Sequence, residues 1–133
     1  MSQENVRVVE YAIAAINARD LEGYLACCTE NVKLETPLAA VGGVYDGIDG
    51  IRRFFLDIEE AAPDFRIELD RAEGVDSKRV LAFLRTSGTG RASGIRMAAP
   101  SQANVYDLID GKIGRIRIFF DHQEALKAVG LEE

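Results

Sequence analysis

The stretch Val105-Tyr-Asp-Leu-Ile-Asp-Gly-Lys-Ile-Gly-Arg-Ile-Arg-Ile-Phe-Phe-Asp-His-Gln-Glu-Ala-Leu-Lys-Ala-Val-Gly-Leu131 decides the fold. It reads as a strand, a tight turn at Asp110-Gly111, a second strand through Phe120, and a short helix with Ala125, Leu126 and Val129 as its apolar side. Side chains alternate across a sheet, so the turn determines which residues of the two strands share a face. A two-residue turn would put Asn104 and Tyr106 with Arg115, Arg117 and Phe119. A three-residue turn with Gly111 as the bulge puts them with Ile116, Ile118 and Phe120. The bulged turn is expected, because it gathers Leu108, Tyr106, Ile116, Ile118 and Phe120 inside with the amide of Asn104. Asp107, Arg115 and Arg117 are then left outside to pair by charge.

Asp121 follows this apolar strand directly. Strict alternation sends it outward, so it faces the interior only if the strand kinks after Phe120. In that position it could act as a general acid or base, with His122 passing the proton. Asp121-His-Gln-Glu124 also fits a capping box, in which the carboxylate holds the helix N-terminus and Glu124 reaches back. The two roles remain open at this level.

Upstream, Val6, Val9, Ile13 and Ile16 recur at helical spacing behind a Ser2 cap, and this helix ends near Asn17-Ala-Arg-Asp20. Asp20 caps a second helix through Leu21, Tyr24, Leu25 and Cys28, which closes at Thr29-Glu-Asn31. Val32 to Thr36 alternates as a strand and Pro37 stops it; Leu38 to Tyr45 reads as a loop. Gly47 leads into a third helix with Ile51, Phe54, Phe55 and Ile58 on one side, ended by Ala61-Ala-Pro63. Strands over Phe65 to Glu73, Arg79 to about Gly90 and Ile95 to Ile109 then form a meander with the last strand. The glycines at 88, 90 and 94 lack G-x-G-x-x-G spacing and read as hairpin and bend residues. The expected class is α+β: a curved antiparallel sheet forming a cone, with the N-terminal helices packed on its concave face.

A chain of 133 residues with 47% hydrophobic residues is expected to form one domain over 1–133. A formal charge of −6, with scattered Lys and Arg, argues against nucleic acid or an anionic membrane as partner. No apolar run approaches the ~20 residues that span a bilayer, and the first residues lack signal-peptide character, so the expected location is cytoplasmic. Cys27 and Cys28 are adjacent in a helical pattern and read as buried thiols. With a single histidine and no ligand pair, no metal and no cofactor are expected.

Several segments in this order resemble the SnoaL-like, polyketide cyclase-like branch of the nuclear-transport-factor-2-like superfamily. They are Asn17-Ala-Arg-Asp-Leu21, Glu30-Asn-Val32, Tyr45-Asp-Gly-Ile-Asp-Gly-Ile51, Ser93-Gly94, Asp110-Gly-Lys-Ile113 and Phe120-Asp-His-Gln-Glu-Ala-Leu126. The resemblance implies pocket-facing positions at Leu34 and Thr36 on the first strand and at Leu84 and Thr86 on a later one. Limonene epoxide hydrolase carries its polar machinery there, and none of it survives in this chain. Its final acid is echoed at Asp121. Where ketosteroid isomerase places its base, this chain has Thr36-Pro37, and Asn104 stands at the position of the oxyanion-hole acid.

The expected site therefore comprises Asp121 and His122 as catalytic candidates. Leu34, Thr36, Tyr45, Phe55, Leu84, Thr86, Asn104, Tyr106 and Phe120 are the expected ligand-binding residues. Two functions fit: a small cofactor-free enzyme (isomerase, cyclase, dehydratase or hydrolase type) acting by acid–base chemistry on a hydrophobic small molecule, or a non-catalytic binding or accessory domain. A homodimer through the outer sheet face is expected in either case, because Val105, Ile113 and Phe119 point there among charges.

Overall fold

A computed structural model describes residues 2–37 and 43–131. The elements run α1 (Ser2–Asn17), α2 (Leu21–Ala26), β1 (Cys28–Glu35), β2 (Val44–Asp46), α3 (Gly47–Ala61), β3 (Arg66–Gly74), β4 (Arg79–Thr89), β5 (Arg96–Ile109), β6 (Lys112–Phe119) and α4 (His122–Ala128). The strands form one curved sheet in the order β2-β1-β6-β5-β4-β3. β1 pairs with β6 in parallel, and the other neighbours are antiparallel.

The α+β cone is as expected, with α1 on the concave face, where Val9, Ala12, Ile13 and Ile16 join Ile67, Val80, Ala82 and Tyr106 in one buried cluster. The Asn17-Ala-Arg-Asp20 segment ties that helix down. The Asn17 side chain donates to the Ile67 carbonyl at 2.9 Å and accepts the Ile67 N–H at 2.8 Å, taking the place of a strand along the edge of β3. Arg19 donates to the carbonyls of Ile16, Pro63 and Phe65, so the helix end and the β3 approach share one guanidinium. Asp20 caps α2 by accepting the Gly23 N–H at 3.0 Å.

Four local expectations need correction. α2 stops at Ala26, and Thr29 to Asn31 already belong to β1, whose parallel partner β6 lies too far along the chain to leave a local signal. Val44–Asp46 is a strand rather than loop, paired with Lys33–Glu35; the rest of the expected loop, 38–42, and the Ser2 side-chain cap lie outside the described residues. α4 packs on the outer face instead of joining the other helices. There Ala125 and Val129 cover Leu81, Phe83, Ala103 and Val105 in a second cluster.

The last correction concerns the hairpin. Tyr106 pairs with Ile116 and Asn104 with Ile118, so the expected inner face is observed. The device is different. The turn has two residues, with Asp110 at φ 51 and Gly111 at φ 80, and Ile109 pairs directly with Lys112. The register shifts further in, between Asp107 and Leu108, where Gly114 is the extra residue of β6. This slip turns Ile113 inward, fully buried in the main cluster, and keeps Arg115 and Arg117 outside. Arg115 then pairs with Glu35 through two hydrogen bonds of 2.9 and 3.0 Å, and Arg117 reaches Asp107 at 3.5 Å.

Candidate functional site

The sheet and the three helices on its concave side enclose a cavity of about 570 Å³. β5 supplies a polar stripe along one wall, because alternation sends Gln102, Asn104 and Tyr106 to the same face. At about 3.4 Å per residue the stripe extends roughly 14 Å. All three are buried, as is Thr86 on the neighbouring strand β4. Thr86 Oγ1 donates to Gln102 Oε1, Gln102 Nε2 to Asn104 Oδ1, and Asn104 Nδ2 to the Tyr106 hydroxyl oxygen, each at 3.1 Å. The bonds all run one way, and such a chain polarises successive members in the same sense.

Tyr106 ends the ladder beside Tyr24 and Cys28 at the enclosed end, whereas Met97 and Phe120 at the other end are exposed. Burial pushes the Tyr106 hydroxyl up to about 12 and holds Tyr24 well above the ordinary phenol range, so both stay protonated donors. Burial also pushes the Cys28 thiol up to about 12, which makes it a packing residue rather than a nucleophile.

Across the cavity, α3 contributes Asp57, the only carboxylate among the described lining residues. Its Oδ2 accepts the Tyr45 hydroxyl at 2.6 Å and its Oδ1 pairs with Arg53 Nε at 3.0 Å, one helical turn away. Burial first, and then the bond to Asp57, raises the Tyr45 hydroxyl. Tyr45 is itself buried, and Gly50 makes the close fit possible: a Cβ there would lie 2.7 Å from the Tyr45 carbonyl carbon.

Six of the nine expected binding residues line the cavity: Leu34, Thr36, Thr86, Asn104, Tyr106 and Phe120. The other three do not reach it. Leu84 is sealed in the core, Phe55 packs edge-on against Tyr24 at 5.4 Å, and Tyr45 turns its hydroxyl to Asp57.

Neither expected catalytic residue lies on the cavity wall. Asp121 is exposed and caps α4 by accepting the Gln123 N–H at 2.8 Å; among the described residues Glu124 makes no return bond. The strand does not kink enough to bring Asp121 in. Its carboxylate borders an open groove with Glu35, Arg117 and Glu124, separated from the cavity by Thr36, Ile118 and Phe120, which line both. His122 packs against Phe83 on the outer face, ring centres 4.9 Å apart, and its Nε2 has no partner among the described residues.

Asp57 and Gln102 escaped the sequence reading as site residues. Gln102 was legible as the same-face neighbour of Asn104, two positions away. Asp57 sits three residues after Phe54 and four before Ala61, at the edge of the apolar stripe, where a charge normally meets solvent.

A curved sheet with helices across its concave side and a cavity between them is the cone of the nuclear-transport-factor-2-like proteins. The chain belongs to the SnoaL-like domain family, whose model matches residues 9–116. Among solved structures, an NTF2-like protein of unknown function from Burkholderia pseudomallei is similar over 96% of this chain and 98% of its own, with 20% identity and a TM-score of 0.79. TerC, crystallised with polyporic acid, is similar over 95% of this chain and 98% of its own, at 21% identity and TM-score 0.78. A protein of ketosteroid isomerase-like fold from Catenulispora acidiphila, in complex with trimethylamine, covers 93% of this chain and 92% of its own, at 13% identity and TM-score 0.75. No curated protein sequence matches the chain.

Proposed function

We propose that the cone takes up a hydrophobic, oxygen-bearing small molecule and carries out acid–base chemistry on it without a cofactor, of isomerase, cyclase, dehydratase or hydrolase type. Asp57 is the group that exchanges the proton. One observation carries this reading: the one carboxylate among the described lining residues, fixed by Tyr45 and Arg53, borders a largely apolar cavity whose other wall carries amide and phenol groups. That two structural relatives were crystallised with small molecules supports a small-molecule role for the fold. The proposed assembly is a homodimer through the outer sheet face. Its apolar basis is narrower than the sequence suggests, since α4 covers Val105 and Ile113 turns inward, leaving half-buried Phe119 and Leu126. No helix among the described residues is long and apolar enough to cross a membrane.

The test is deuterium exchange at the α-carbon of an enolisable aryl ketone, followed by NMR. Wild type and Asp121→Asn should exchange the label and Asp57→Asn should not, with ketone affinity retained in all three. Exchange by Asp57→Asn at the wild-type rate removes Asp57 from the chemistry. A second reading, binding without turnover, is favoured by the occupation of both Asp57 oxygens, which are already engaged by the Tyr45 hydroxyl and by Arg53 within the protein. Ketone binding with no exchange by wild type selects it.

A further inference from the structure

The far end of the β4–β5 hairpin is held differently from the rest of the sheet. β3 accompanies β4 only as far as the Arg66–Ser87 pair, and β6 accompanies β5 only from Ala103, which pairs with Phe119. Beyond these points Gly88 pairs with Met97 and Thr89 with Arg96, and among the described strands neither side has another neighbour. At the base of this two-stranded arm the register slips. Leu84 pairs with Gln102 but Thr86 with Ala99, so Arg85 stands opposite both Pro100 and Ser101. The extra residue is a bulge, which bends the strand, and a proline has no N–H to add to the ladder.

The arm is one side of the cavity mouth. Gly88, Met97 and Ala98 line the cavity, and the last two are exposed. Across the seam lie Ala61, Ala62 and Phe65, between α3 and β3; a Cβ on Gly88 would come within 3.0 Å of the Ala62 Cβ. Every described polar bond from the arm to another part of the fold ends on the segment Glu59–Asp64. Arg91 donates its N–H to the Ala61 carbonyl at 2.9 Å and its guanidinium to the Glu59 carbonyl at 3.2 Å. Asp64 accepts the Thr89 N–H at 2.7 Å and pairs with Arg96 at 3.0 Å. The Arg96 and Asp64 side chains are 62% and 50% exposed, a setting in which an ion pair contributes little and salt screens it. A bend at the base, weak fastening at the tip and a cavity behind are a hinge, a latch and an opening.

We propose that this arm is a flap, hinged at the Pro100–Ser101 bulge and latched by the Asp64–Arg96 pair, and that a ligand enters and leaves the cone as the flap lifts. Lifting separates Gly88, Met97 and Ala98 from Ala61, Ala62 and Phe65 and widens the mouth, while the ladder on the inner half of β5 stays fixed between β4 and β6. The flap rests on the reading of the cone as the ligand site and adds the route by which that site fills.

The test is stopped-flow mixing with fluorenone, a flat apolar ketone. The chain has no tryptophan, so tyrosine emission is unmasked, and its quenching reports ketone arriving beside Tyr24 and Tyr106. Asp64→Asn keeps an acceptor for the Thr89 N–H and removes the charge, and Arg96→Gln removes the other member of the pair; neither residue lines the cavity. Each variant should raise the association and dissociation rates together by about two- to fivefold, the factor an exposed ion pair provides, and leave Kd unchanged. Added salt should speed exchange in wild type and not in the variants. A disulfide between Ala62→Cys and Gly88→Cys should slow both rates until a reductant opens it; if that double variant fails to fold, the single substitutions still decide. Wild-type rates in both single variants overturn the flap and leave the cone as a site filled by another route. A changed Kd at an unchanged association rate also overturns it, because the pair then shapes the closed site. Absence of any quenching by fluorenone overturns the cone as the ligand site, and the flap with it.

Discussion

The Tyr45 hydroxyl donates a 2.6 Å hydrogen bond to Asp57, joining the middle residue of β2 to α3 beside the cavity. The bond does two things. It satisfies a phenol that would otherwise be buried alone, and it fixes the direction in which the carboxylate faces the interior. Bonds to an ionised partner are worth about 1.5–3 kcal/mol. Tyr45→Phe should therefore lower stability by about 1–2 kcal/mol in urea denaturation. In a double-mutant cycle with Asp57→Ala, the coupling should exceed about 1 kcal/mol, and a coupling near zero would show that the two side chains merely lie close.

Gly50 controls whether that pair can form. Any Cβ at this position runs into the Tyr45 backbone, which cannot swing away as the end of a flexible side chain could. Gly50→Ala should destabilise by about 1–3 kcal/mol, as overpacking does, although alanine is the better helix former. A Gly50→Ala protein as stable as wild type would mean that α3 slides freely over β2.

Asp121 should respond as a cap and nothing more. Asp121→Ala should cost about 1 kcal/mol, and Asp121→Asn should stay within a few tenths of wild type, because an amide oxygen can still accept the Gln123 N–H. Binding of fluorenone in the cone should be the same in all three proteins. A large affinity loss in Asp121→Asn would place the carboxylate on the cavity after all.

Stability should fall off at both ends of the pH scale. At the alkaline end, Tyr24, Tyr45, Tyr106, Cys27 and Cys28 are all raised, with burial the leading cause for each. The unfolded chain releases these protons near 8.5 for thiols and 10 for phenols, before the folded protein does. Their contribution is whole below those values and is lost as pH rises through the folded ones. At the acidic end, the Arg115 bond holds Glu35 below the ordinary carboxylate range. That contribution is present above about 4.3, the unfolded value, and disappears as pH falls through the folded one. Urea midpoints measured from pH 3 to 11 should form a plateau with both edges. Absorbance at 295 nm should show three of the four tyrosines ionising only as the protein unfolds.

The register of β5 against β6 was legible because a face of Tyr106, Ile116, Ile118 and Phe120 can be buried only one way. The means was not. Gly111 and Gly114 both permit a bulge, and only the packing of Ile113 inward decides between them. The parallel pairing of β1 with β6 left no trace in either segment, since periodicity reports burial and not the identity of a neighbour. Of the site, the wall residues followed from alternation, whereas the acid did not. Asp121 stood beside an apolar strand and drew attention, while Asp57 carried the same charge on a helix flank where solvent is the ordinary expectation. What separates them is Tyr45, twelve residues upstream of Asp57, and no local pattern predicts that meeting.

The position of β6 has a consequence for how the molecule is made. It is the last of the described strands in sequence but the third in the sheet, holding β1 on one side and β5 on the other. Until it emerges from the ribosome, the β2-β1 pair and the β3-β4-β5 meander have no shared hydrogen bonds, and the edges of β1 and β5 stand open to other chains. The cavity therefore has no complete wall before β6 is made. Closure joins segments separated by well over half the chain, a slow class of contact, so the interval in which a nascent chain is vulnerable to aggregation ends with the insertion of one eight-residue strand.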